Sequence, residues 1–170
     1  IGQTWSAPKA LKAPGYSVSG AGTEKPMLIM GGGYDICEDG DPHTCSSTKG
    51  NKVYILDADD GTLKKTLSTD RAVVADVVVV PHSVTGLATM AYVVDLGGNV
   101  YRINIGDAAP ADWTITKIAS LGGSGADARK FMFAPDVVLD NGKYVLLLGS
   151  GDREKPLTTY SGATSVENKF

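Results

Sequence analysis

Thr89-Met-Ala-Tyr-Val-Val-Asp-Leu-Gly-Gly98, running straight into Asn99-Val-Tyr-Arg-Ile-Asn-Ile105, is the stretch that decides the fold. It reads as a short apolar strand, a Gly/Asp turn and a second strand carrying Val-Tyr. The unit recurs. Upstream, Lys25-Pro-Met-Leu-Ile-Met-Gly-Gly-Gly-Tyr-Asp35 leads, after an insert, into Gly50-Asn-Lys-Val-Tyr-Ile-Leu-Asp-Ala-Asp59. Downstream, Lys143-Tyr-Val-Leu-Leu-Leu-Gly-Ser-Gly-Asp152 starts a third copy. Val53 and Val100 lie 47 residues apart. A period of roughly 40–50 residues with four strands per unit is the pattern of a β-propeller.

Working outward, short apolar and β-branched runs bounded by Gly, Asp and Asn predict strands at 26–30, 52–56, 75–80, 91–95, 99–105, 113–118, 136–139 and 143–148. Runs such as Met27-Leu-Ile-Met30 are apolar throughout, as expected of inner strands covered on both faces by neighbouring blades. Segments 66–68 and 114–117 are more polar and suit outer strands. No long stretch has apolar residues at helical spacing. The best candidate, 126–133, is short and followed by Pro135. The expectation is an all-β, propeller-like chain of about three blades of four-stranded antiparallel sheets. The units fall at 25–80, 89–139 and 143–170, with an inserted loop at 35–49. Propellers usually close with four to eight blades, so residues 1–170 are expected to be part of a larger propeller. A β-sandwich or open barrel is the alternative.

Composition agrees. Of 170 residues, 21 are glycine and 8 proline, an excess that supplies turns without reaching low complexity. The net charge of −3 excludes a basic nucleic-acid footprint. The apolar run 72–80 is broken by Asp76 and is too short to cross a bilayer. The chain opens on Ile1, which points to a processed product or a fragment.

Catalytic motifs are scarce. Gly15-Tyr-Ser-Val-Ser19 and Gly122-Gly-Ser-Gly-Ala126 both miss the nucleophile-elbow pattern at its last position. His43 and His82 have no positional link to a nucleophile. The glycines at 31–33 lack the Lys-Ser/Thr of a phosphate loop. The reading is non-enzymatic, with no catalytic residue and no cofactor.

The insert Tyr34-Asp-Ile-Cys-Glu-Asp-Gly-Asp-Pro-His-Thr-Cys45 is the most unusual segment. A Cys37–Cys45 disulfide, formed in an oxidising compartment, is the preferred reading. Zinc on Cys37, His43 and Cys45 lacks a fourth ligand and the usual spacing. Calcium on Asp35, Glu38, Asp39 and Asp41 has suitable oxygen donors but no complete loop motif. Asp35, Asp39 and Asp41 are the weak calcium candidates. The insert is expected to be a partner-contacting loop whose removal leaves the fold intact. Asp57, Asp59 and Asp60 read as a turn. Asp152 and Glu154, alternating with Arg153 and Lys155, read as a solvated, self-compensating loop.

Several blocks together resemble a known family. Gly2-Gln-Thr-Trp-Ser-Ala-Pro8, the two blocks at 25–35 and 50–59, Asp95-Leu-Gly-Gly-Asn-Val-Tyr-Arg-Ile-Asn104, Lys130-Phe-Met-Phe-Ala-Pro-Asp-Val-Val138 and Leu148-Gly-Ser-Gly-Asp-Arg-Glu-Lys-Pro156 look like the C-terminal propeller of the PilY/PilC family. The resemblance spans nearly the whole chain in order. It implies a secreted bacterial protein that reaches the pilus tip or outer surface through the periplasm. It also implies a role in type IV pilus assembly, with minor pilins and a host-cell or abiotic surface as partners. One departure stands out. Many members carry an Asp-rich calcium loop where this chain has Pro81-His-Ser-Val-Thr-Gly-Leu-Ala-Thr89, which contains no carboxylate. That calcium site is therefore not carried over. Two other functions compete: a fragment of a quinone-cofactor dehydrogenase propeller, disfavoured because the only tryptophans are Trp5 and Trp113, and a scaffold propeller of the periplasm or outer membrane.

Overall fold

The computed structural model describes residues 1–19, 22–41, 44–155 and 157–170. Among them the chain is all-β, with ten strands in antiparallel sheets and a single α-helical turn, Ser161–Thr164. The first sheet is built from β1 (Lys9–Leu11), β2 (Met27–Gly31), β3 (Lys52–Asp57) and β4 (Leu63–Ser68), hydrogen-bonded in that order. The second repeats the plan with β5 (Val78–Pro81), β6 (Ala88–Val94), β7 (Asn99–Asn104) and β8 (Thr114–Ser120). A hairpin of β9 (Asp136–Asp140) and β10 (Lys143–Leu147) follows.

The sheets stand side by side like blades. β1 lies beside β5, β5 beside β9, and outer β4 beside β8. The repeat sets this arrangement. Met27, Ile29, Val53 and Ile55 of the first sheet are fully buried, as are Ala91, Val93 and Ile103 of the second, and together they form one core. Ile29 pairs with Ile55 across β2–β3, and Val93 pairs with Tyr101 across β6–β7. The cross-strand pairs of both central hairpins are therefore buried together in the core that the two sheets share. The sheets do not close into a ring among the described residues.

The unit boundaries differ from the periodicity reading. Four-stranded units run from Lys9 to Ser68 and from Val78 to Ser120, not 25–80 and 89–139. The run at 75–80 does not finish the first unit. Its Val78–Pro81 portion opens the second, because the connector leaving β4 crosses to the innermost position of the next sheet. The short strand Lys9–Leu11, with its KAL sequence, has too little periodicity to be found. The third unit has two strands instead of four among the described residues. After Leu147 the sequence turns to Gly149-Ser-Gly and alternating charges, with no further apolar run.

Each connector threads between the tips of two sheets. Val73 accepts from Gly33 N at 2.8 Å and donates to Gly50 O at 3.0 Å, while Ala72 O receives Leu96 N at 2.9 Å. The next connector repeats this, with Phe131 N on Asp95 O at 3.4 Å and Gly151 N on Lys130 O at 3.0 Å. Backbone passes so close to backbone here that Gly33 and Gly50, at φ +95° and +73°, have no room for a Cβ. Gly61 has a similar φ of +74° in a turn open to solvent.

Comparing the two separates packing from conformation. Gly61→Ala is expected to cost about 1–2 kcal/mol from the positive φ alone, and Gly50→Ala about 3 kcal/mol or more because the new Cβ meets the Gly33 carbonyl. Urea unfolding of both variants checks this. Equal losses would mean the close approach carries no extra constraint.

Candidate functional site

The most elaborate polar chemistry lies where the insert meets the two connectors. Asp35 begins the insert and caps the 3₁₀ turn Ile36–Asp39. Its carboxylate accepts from Cys37 N at 3.2 Å and from Thr48 N and Lys49 N, each at 2.9 Å. One carboxylate thus fastens the start of the loop to its end. Burial acts to raise the Asp35 pKa, but these N–H donors outweigh it and hold the group below its ordinary value. Stability linked to Asp35 is present above the usual carboxylate range and lost as pH falls through the folded value. The Cys37–Cys45 disulfide closes the same loop.

The insert is not a free loop. Glu38 is fully buried and grips Arg71 of the first connector, taking Nη2 at 2.8 and 2.7 Å and Nε at 3.1 Å. Ser47 Oγ donates to Glu38 at 2.8 Å and accepts from Ala72 N at 3.1 Å. Tyr34 donates to Asp39 at 2.7 Å, and Trp5 stacks on its ring at 4.7 Å. Asp41 accepts from Ser161 N at 3.2 Å. The expectation that the loop could be removed with the fold intact is therefore corrected. Removal takes away the carboxylate that neutralises Arg71 inside the protein.

A second junction mirrors the first. Lys130 of the second connector is buried, with Asp152 at 2.8 Å and Glu154 at 2.7 Å. Its ammonium also lies 3.4 Å from Glu38 O and 3.4 Å from Tyr160 OH. Desolvation lowers the Lys130 pKa, but the two carboxylates win and raise it. Burial and the Asp39 and Glu154 carboxylates push the Tyr34 phenol up, so it acts as a donor. Asp152 and Glu154, read from sequence as a solvated loop, have side chains only 6% and 7% exposed. Both side chains turn inward on Lys130.

The metal readings look different in three dimensions. Asp35, Asp39 and Asp41 do not converge on one point among the described residues, since each is engaged by its own donors. Cys37, Glu38 and Cys45 do cluster, but both sulfurs are joined to each other and Glu38 holds Arg71. His43 lies outside the described residues. Asp57 is a buried turn anchor, bonded to Tyr16 OH, to Lys25 Nζ at 2.9 Å and to Asp59 N at 2.9 Å. His82 is exposed and uses Nδ1 to accept Val84 N and Thr85 N at 3.3 Å, shaping the β5–β6 turn where the resemblance would place a calcium loop.

Arg71, Asp95 and Lys130 escaped the sequence reading. Asp95 is fully buried and receives Arg71 N at 3.1 Å, Gly97 N at 2.9 Å, Asn99 N at 3.0 Å and Tyr101 OH at 2.9 Å. A signal for the two cations did exist. Each stands immediately before an apolar connector run, in Arg71-Ala-Val-Val and Lys130-Phe-Met-Phe.

This architecture has a solved counterpart. The chain superposes on the crystal structure of the Pseudomonas aeruginosa PilY1 C-terminal domain with a TM-score of 0.61. Identity is 18%, over 86% of this chain and 32% of that one. The likeness shows a shared propeller-like fold. The chain spans about a third of the PilY1 domain's length. No protein-family profile matches the sequence, and no curated protein matches it.

Two outcomes test the junction. Glu38→Ala is expected to cost about 3–5 kcal/mol, because it removes the fully buried carboxylate that pairs with the Arg71 guanidinium, and urea unfolding reads that loss. A loss below about 1 kcal/mol would mean that water replaces the carboxylate. Opening the disulfide with reductant should add about 2 Da and lower stability by about 2–3 kcal/mol, the chain-entropy value for so short a loop.

Proposed function

We propose that this chain is a section of the β-propeller of a PilY/PilC-like protein. In this reading it is a non-enzymatic type IV pilus assembly factor and tip adhesin that supports pilus extension and surface attachment. The observation that carries it is the superposition on the PilY1 C-terminal domain over 86% of the chain. The ordered sequence blocks that resemble the family support it independently.

The proposed partners are minor pilins at the pilus tip and a host-cell or abiotic surface. The proposed route is secretion through the periplasm to the tip or outer surface. A disulfide-closed loop is compatible with that oxidising path. No helix among the described residues is long and apolar enough to cross a membrane. The β9–β10 hairpin exposes Val138, Leu139, Tyr144, Val145 and Leu147. Val138, Val145 and Leu147 share one face of the hairpin, and we assign that face to packing against further strands of a larger propeller, as the inner faces of the first two sheets pack on each other. Because the insert turns Glu38 inward and leaves Ile36 outward at 68% exposure, partner contact falls to its outer residues and not to its carboxylates. We propose that this contact is independent of calcium, since 81–89 offers no carboxylate.

Cell fractionation decides the matter. The protein should appear with sheared pili, and deleting the segment should reduce surface piliation and attachment. Retention in the periplasm with normal piliation would point instead to a scaffold propeller.

A further inference from the structure

Lys130 carries one positive charge, and two buried carboxylates close on it. Asp152 lies 2.8 Å and Glu154 2.7 Å from its Nζ, on side chains 6% and 7% exposed. Asp152 Oδ2 and Glu154 Oε1 face the ammonium, while the other oxygen of each, Asp152 Oδ1 and Glu154 Oε2, is buried without a hydrogen-bond partner. Buried carboxylate oxygens are rarely left in that state.

The neighbouring groups do not correct the balance. Tyr160 and Tyr34 are neutral donors, the latter 3.3 Å from Glu154. The Glu38 side chain is committed to Arg71. Lys155 turns to Asp39, reaching its main-chain oxygen at 2.9 Å and its carboxylate at 3.5 Å. Arg129 faces away, onto Asp127 and Glu167 O. Arg153, between the two acids, lies over the Phe133 ring, and one negative charge is left uncompensated in a desolvated place.

We propose that Asp152 and Glu154 share a single proton, and that this proton latches the insert, the second connector and the segment after β10 together. The proton sits on Glu154 and is donated to Asp152, which stays ionised against Lys130. One proton between Glu154 Oε2 and Asp152 Oδ1 engages both oxygens that otherwise lack a partner and leaves the cluster neutral. The opposite tuning of the two acids agrees: burial and the Asp152 carboxylate raise Glu154, while hydrogen bonds from Glu154 and Lys130 overcome burial and lower Asp152. A cavity of about 130 Å³, lined by Lys130, Asp152, Ser161 and Ser165, is large enough for a water to carry the proton in and out.

The sign follows from linkage. A raised Glu154 gives stability that is fully present below the ordinary glutamate value and is lost as pH rises through its folded value. Once the proton leaves, two carboxylates repel beside one ammonium, and the contacts of Tyr34 and Lys130 loosen.

The test compares the protein with Glu154→Gln from pH 5 to pH 8 at fixed ionic strength. The wild-type Tm should fall across this range by about 2–4 °C more than that of the variant, on the order of a fivefold change in the folding equilibrium. Hydrogen exchange in residues 34–41 and 150–155, corrected for intrinsic rates, should accelerate over the same range in the wild type only. Parallel Tm curves would overturn the proposal. So would a wild-type Tm that responds to added calcium or sodium in place of pH, since a metal would then supply the missing charge. Should the variant fail to fold, carboxyl ¹³C NMR of the wild-type protein decides alone. A Glu154 resonance titrating above the ordinary glutamate range supports the shared proton, and one within that range rejects it.

Discussion

Each connector between sheets carries a cation, part-buried at Arg71 and buried at Lys130, that is neutralised by buried carboxylates from elsewhere in the chain. Arg71 is met by Glu38 of the insert, and Lys130 by Asp152 and Glu154 from the segment after β10. A cation left unpaired in such a place destabilises a fold by several kcal/mol. The sheets are therefore joined by charge pairing across the connectors as well as by the apolar core between their faces. The pairs also fix which segment can occupy each junction, because an Arg or Lys reaching inward accepts only a segment that brings the matching acid.

The two junctions are wired together. Lys130 reaches the main-chain oxygen of Glu38, while Tyr34 bridges Asp39 and Glu154. The insert thus touches both connectors and the segment beyond β10. Its disulfide and its Asp35 turn shape it locally, and Glu38 drives it into the body of the protein. A loop at a hairpin tip is ordinarily a place for binding. Here one side of it is structural, and only its outer residues are free to meet a partner.

The strands were legible because burial on one or both faces leaves a direct mark on sequence. Met27-Leu-Ile-Met30 and the Val-Tyr repeats at 53 and 100 predicted β2, β3 and β7 to within a residue, while β6 begins three residues before the predicted 91–95. The blade frame was not legible. Periodicity reports spacing but not phase, and whether 75–80 ends one unit or opens the next depends on which strand it pairs with. At the site, Cys37 and Cys45 could be paired from their setting, whereas Asp152 and Glu154 could not be told from a solvated acidic turn. A charge pattern does not state which way the backbone faces.

By itself, the sequence determined the all-β class, the repeated strand–turn–strand unit, the position of the insert and the cysteines that close it. These depend on interactions local in the chain or repeated along it. Tertiary structure alone decided where one blade stops, that Glu38 serves Arg71, and that Lys130 gathers two acids more than 20 residues away. Long-range charge pairing leaves no period and no fixed spacing, because the partners are chosen by the space between sheets and not by their order in the chain.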